Sequence, residues 1–125
     1  MNISHRIAIP PDHPRAKSLY IREMLVDGFR HGLVAAEGLI AHGRGEAYDY
    51  LIGERTTRTA RQAIKAAAAT LLLSEHPVIS INGNTAALCA SQVVELAKAT
   101  KARIEVNLFY RTEERERAIK TELEK

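Results

Sequence analysis

"VISINGNTAALCASQVVELAKATKARIEVNLFY", Val78–Tyr110, contains the two changes of period that decide the fold. "VISIN" is short and β-branched and runs into Gly83-Asn84, which reads as a buried strand followed by a turn signal. From Thr85 to Ala99 the apolar residues return at helical spacing, through Leu88, Val93, Leu96 and Ala97. "RIEVNLFY", Arg103–Tyr110, is a second strand, and Val78, Ile79, Ile81, Ile104, Val106 and Leu108 are expected to be buried on both sides, as parallel strands usually are. A strand, a helix of this length and another strand predict a parallel pair joined by a right-handed crossover. The fold class is α/β.

Working outward, Thr112 is a cap for a last helix whose first turn, "TEERE", is acidic and suits the positive end of the helix dipole. Upstream, "TTRTARQAIKAAAATLLLSEHP" predicts a helix capped by Thr56 or Thr57, with Ala60, Ile64, Ala67, Ala68 and Leu71 as its buried stripe. His76-Pro77 ends it, because a residue before proline avoids the helical region. "DHPRAKSLYIREMLVDGFRHG", Asp12–Gly32, predicts another helix, with a cap at Asp12 or His13, Pro14 in the first turn and Gly32 as the stop. The first dozen residues, with Pro10 and Pro11, read as an extended arm. Between these helices "GLIAHGRGEAYDYLIGE", Gly38–Glu54, reads as a flexible charged elbow with short helical pieces around Ala47–Ile52. The expectation is one domain over residues 1–125, a parallel sheet with a helical N-terminal layer. Only two strands are visible, a poor sheet by itself. Either a partner completes the domain or the chain is the first part of something longer; the second is the expectation, with further strands after Lys125.

The 125 residues are 46% apolar and 26% charged, which fits one globular core and excludes wholesale disorder. A net charge of +3 suits an anionic small molecule and is too small to argue for nucleic acid. Arg58, Arg61 and Lys65 make a basic stripe without interleaved aromatics, the pattern of a solvated helix face rather than an RNA reader. Cys89 is the only cysteine, so an internal disulfide is impossible and it reads as a small buried residue. No signal-peptide pattern and no span-length apolar run is present, and the expected location is cytoplasmic, without a membrane partner.

Chemistry is expected at the carboxyl ends of the strands, where open α/β sheets gather ligands. The first strand ends in Asn82-Gly83-Asn84, the second in Asn107, Tyr110 and Arg111, each before a helix start. Unpaired N–H groups there attract anions, and Asn side chains add donors and acceptors. A helix-capping turn and nothing more is the competing reading of "NGN". In the elbow, Arg44 between Gly43 and Gly45 offers a planar fork of donors for phosphate or carboxylate. Glu46 and Asp49 could accept from an amine or orient Arg44, and His42 adjoins them; a surface turn with solvated charges is the alternative. The third glycine of GxGxxG is replaced by Tyr48, and no GxxxxGK[ST] occurs. The five histidines, His5, His13, His31, His42 and His76, lack metal-ligand spacing, and no metal site is expected in the chain.

"HPR…SLYIRE", "GLIAHGRGEAYDYLIGERTT", "HPVISINGNTAAL" and "EVNLFYRTEERE" together resemble the archaeal phosphopantothenate synthetases, or 4-phosphopantoate–β-alanine ligases, from about Ile9 to Arg117. The resemblance implies a Rossmann-like fold and a homodimer, with this chain matching the N-terminal part of a ligase domain about twice as long. It implies an enzyme of coenzyme A biosynthesis that joins 4-phosphopantoate to β-alanine through an acyl adenylate, using ATP and Mg²⁺ and releasing AMP and pyrophosphate. It also implies that Arg22 and Arg44 contact ATP, and that the two converge on one anion. His42, Gly43, Gly45, Glu46, Asp49, Asn82, Gly83, Asn84, Asn107 and Arg111 are the candidates for holding substrate. A non-catalytic nucleotide- or phosphometabolite-binding module is the alternative; a nucleic-acid-binding domain is a remote third. The chain by itself is expected to be marginally stable, self-associating and inactive.

Overall fold

Past the first strand the Asn82 carboxamide accepts a hydrogen bond from the Thr85 amide at 3.0 Å, and past the second the Thr112 hydroxyl accepts from the Arg115 amide at 3.2 Å. These caps occupy donors that a helix start leaves orphaned; the first strand runs straight into its helix, and the second reaches its helix through the segment 107–112. A computed structural model describes residues 8–125. Along them run α1 (Ala16–Arg30), α2 (Ala36–Ile52), α3 (Arg58–Leu73), β1 (Val78–Ile81), α4 (Gly83–Thr100), β2 (Arg103–Val106) and α5 (Glu113–Leu123). The strands pair in parallel, Val78 with Arg103 through Ile81 with Val106, and the α/β expectation holds. His5 and the beginning of the expected arm lie outside the described residues.

The core forms around α4, which packs against α1, α5 and both strands. Leu25 of α1, Leu33 and Val34 after it, Ile81, Ala86, Val93, Leu108 and Ile119 make one buried cluster. The helix is kinked at Cys89, whose thiol donates to the Thr85 carbonyl at 3.4 Å. Gly32 ends α1 at φ +75°, the left-handed turn expected of it. Asp12 and Pro14 fall outside that helix, which starts at Ala16. His13 serves the preceding turn, its ring accepting from the Arg15 amide at 3.0 Å.

Three expectations are corrected. The elbow is a continuous helix, α2. Its glycines lower helix propensity by about 1 kcal/mol each relative to alanine, but no proline interrupts it and the rest of the segment is compatible with a helix. The helix α3 exists, capped by Thr57, yet its stripe is uncovered: Ile64 is 60% exposed and Leu73 85%, and among the described elements none packs closely against it. Periodicity predicts a face, not its partner. The strands, expected to be buried on both sides, are covered on one. Ile79, Ile81, Ile104 and Val106 face α4 and α5, while Val78, Ser80, Arg103 and Glu105 are exposed and the Ser80 hydroxyl donates to Glu105 at 3.2 Å.

Candidate functional site

At the carboxyl edge of the sheet a cleft of about 310 Å³ opens between the start of α2, the start of α4 and the segment after β2. Asn82, Gly83 and Asn84 line it together with Gly38, Tyr110 and Arg115. The Asn82 oxygen is engaged by capping, taking bonds from the Thr85 amide at 3.0 Å and hydroxyl at 3.1 Å. The Asn84 amide donates to the Gly38 carbonyl at 3.0 Å and so ties α2 to the first turn of α4. A Cβ at Gly38 would meet the Asn84 side-chain oxygen, so a larger residue there would have to push the Asn84 carboxamide out of its present place. Gly83 has a similar constraint: the space above its Cα, where a ligand would need to come, is taken by the Leu33 carbonyl, into which any Cβ would collide. Asn107 continues the ladder, its amide donating to the Ile81 carbonyl at 2.8 Å, and its side chain is exposed.

Arg115 is a cleft residue that sequence reasoning missed. Its guanidinium donates to the carbonyls of Tyr110 and, at 3.1 Å, of Leu33, while Nε is buried without a partner among the described residues. It therefore joins the segment after α1 to the segment after β2 at the rim of the cleft. A signal was present: a cation at the third position of a helix works against the helix dipole and calls for a reason. Arg111, the neighbouring candidate, pairs instead with Glu116 at 2.7 Å and is 71% exposed.

The elbow residues stand on α2. Glu46 is ion-paired with Arg15, whose guanidinium also donates to the Tyr50 hydroxyl at 2.5 Å and to the Ser18 hydroxyl at 3.2 Å. The same guanidinium carbon lies 4.9 Å from the centre of the Tyr50 ring, a cation–π distance. The hydrogen bond that Arg15 donates to the Glu46 carboxylate raises the Arg15 pKa above its ordinary value, against a smaller lowering by desolvation. Arg15 is thus a second residue that sequence reasoning missed; its place in "HPR", just before a helix, gave no hint of a partner so far along the chain. His42 and Asp49 are half-buried. Gly43 and Gly45 have nothing within 4 Å of a would-be Cβ, so packing does not explain them, and they leave open space on both sides of exposed Arg44. Arg22 is exposed on α1. Neither Arg22 nor Arg44 lines the edge cleft, so the cleft does not gather them on one anion. Among the described residues no group of three or more His, Cys, Asp or Glu side chains is placed to hold a metal ion. No helix among them is long and apolar enough to cross a membrane.

Comparison with known proteins gives this arrangement a context. The family model for phosphopantothenate/pantothenate synthetase matches residues 59–125. A 4-phosphopantoate–β-alanine ligase of Thermococcus kodakarensis is 60% identical over 119 residues, which cover 95% of this chain and 46% of that protein. The ligase of the same name from Thermococcus onnurineus is 57% identical over 119 residues, with the same coverage. That of Methanospirillum hungatei is 60% identical over 111 residues, 89% of this chain and 46% of that protein. The chain spans about half the length of the curated relatives it matches.

Proposed function

The chain belongs to the phosphopantothenate/pantothenate synthetase family, and from this we propose that it serves an ATP-dependent ligase that joins 4-phosphopantoate to β-alanine in coenzyme A biosynthesis. The observation that carries the proposal is the 60% identity over 119 residues to a ligase of that name. In the reaction, a phosphopantoate carboxylate oxygen attacks the α-phosphorus of ATP and pyrophosphate leaves. The β-alanine amine then attacks the acyl carbon of the adenylate, AMP leaves with the carboxylate oxygen, and the amine loses a proton. Binding, orientation and charge stabilisation are the work of the protein's own residues in such a scheme.

Arg44 and Arg22 are assigned to the nucleotide. The open space that Gly43 and Gly45 leave around Arg44 supports this, since an anion could reach the guanidinium fork without meeting a neighbouring side chain. The edge cleft is assigned to the carbon substrates. Two helix starts face it, although Asn82 and Asn84 are also engaged in holding α4 in place. Mg²⁺ finds no protein cage among the described residues and fits best as an ion brought by the nucleotide phosphates. A cytoplasmic homodimer completes the proposal; the uncovered apolar side chains of α3 support a second copy as its partner.

The test measures AMP release with ATP, Mg²⁺, 4-phosphopantoate and β-alanine, in this chain and in a chimera carrying the unmatched part of the T. kodakarensis ligase. The expected result is AMP formation in the chimera that requires both carbon substrates, lowered in efficiency by about 1–3 kcal/mol in Arg44→Ala, the range for a lost charged hydrogen bond. Nucleotide affinity with no turnover in either protein would favour the binding-module reading instead.

A further inference from the structure

Helical arithmetic separates Arg44 from the ion pair beside it. At about 100° per residue, Arg44 lies about 160° round α2 from Glu46, so the side that meets Arg15 is not the side that presents Arg44. Glu46 and Tyr50, one turn apart, share the side that Arg15 grips. Arg15 stands at the start of α1, and its partners lie in the second half of α2. At the opposite end, the segment between α1 and α2 is fixed by buried Leu33 and Val34, whose amides donate to the Gly28 carbonyl at 2.8 and 3.2 Å. The first half of α2 is held by the bond from Asn84 to Gly38. No residue of α2 is fully buried, so packing alone gives its second half little reason to keep one rotation about its axis.

Taking Arg44 as the nucleotide contact proposed above, we infer that Arg15 is a positioning residue for it, acting through Glu46 and Tyr50. The three side chains clasp the free end of α2 to α1 and so set which way the Arg44 side of the helix faces. Glu46, a candidate for holding substrate on sequence grounds, is committed to this clasp. The guanidinium suits the task because its rigid planar fork donates to the carboxylate and the phenol at once while its carbon lies over the ring, a geometry that a compact ammonium matches less well.

The experiment uses the whole chain and ATP as the probe, with two readouts. By titration calorimetry, Arg15→Ala and Glu46→Ala should each weaken ATP binding by about fivefold, and the double variant by no more than either, as residues of one coupled unit do. In an Arg44→Ala background, adding Arg15→Ala should change affinity less than twofold, because nothing is left to position. Arg15→Glu combined with Glu46→Arg should recover most of the loss, and Arg15→Lys part of it. By hydrogen exchange, independent of any ligand, amides of the last turns of α2 should exchange roughly tenfold faster in Arg15→Ala while those of α4 stay unchanged. An unchanged exchange pattern in α2 overturns the clasp. Weakening by Arg15→Ala that persists at full size without Arg44 also overturns it, by making Arg15 a ligand contact. If the unmodified chain binds no ATP, the titrations are repeated in the chimera that carries the unmatched part of the T. kodakarensis ligase; a chimera that also binds none overturns the nucleotide assignment of Arg44, and the exchange readout still decides whether Arg15 orients α2.

Discussion

Gly43 and Gly83 have the same side chain for opposite reasons. A methyl group at Gly83 would collide with the Leu33 carbonyl, whereas at Gly43 it would meet nothing within 4 Å. Gly83→Ala should therefore destabilise the chain by about 1–3 kcal/mol, the cost of overpacking against a backbone that must move. Gly43→Ala should stabilise it by up to about 1 kcal/mol through helix propensity, and should weaken ATP binding if the gap beside Arg44 admits the nucleotide. Urea unfolding and calorimetry on the two variants check both statements; a Gly43→Ala protein that is stabilised and binds ATP unchanged would remove the support that the open space gives to Arg44. The contrast was not legible in the sequence. "NGN" allowed both a cap and a ligand loop, and only the position of Leu33, a distant residue, shows what Gly83 admits. Arg15 and Arg115 were missed for a related reason, since their partners lie 31 and 82 residues away, at Glu46 and Leu33.

Among elements, the strand–helix–strand unit was legible because its periods change sharply from two to helical spacing and back, with capping residues at the junctions. The helix α2 was not, because three glycines and a charged centre hid a segment whose remaining residues all tolerate helix, and propensity is a weak guide once neighbours hold the ends. The helix α3 was half legible: its apolar stripe is real, and what covers it was not written in the stripe. Ile64 and Leu72 are 60% and 65% exposed in the single chain. Replacing both with Ser should leave the stability of a monomer within about 1 kcal/mol, as surface changes do, while shifting a dimer towards monomer. Sedimentation velocity across a concentration series reads the second effect. An unaltered dimer would place the interface on some other surface.

At the scale of the molecule, one buried cluster centred on α4 holds α1, α5 and one face of a two-stranded sheet, and the other face of that sheet carries Ser80 and Glu105 in the open. Those paired residues are separated by 25 positions in the chain. Bringing such distant segments together costs loop-closure entropy before any strand bond offsets it. Helical turns, by contrast, form within about a microsecond from neighbours in sequence. The helix between the strands therefore acts in time as well as in space: once α4 is wound, the gap that β1 and β2 must close becomes short and stiff. The sheet is expected to be a late event. Val93→Ala and Ala97→Gly, on the buried side of α4, should mainly slow refolding, and Val106→Ala, on the inner face of β2, should mainly quicken unfolding, as a chevron plot would display. A chain whose strands pair only after their connecting helix is wound stays briefly without a sheet each time it folds, and during that interval its inner strand residues, Ile79, Ile81, Ile104 and Val106, are open to capture by a chaperone or by another copy's unpaired strand.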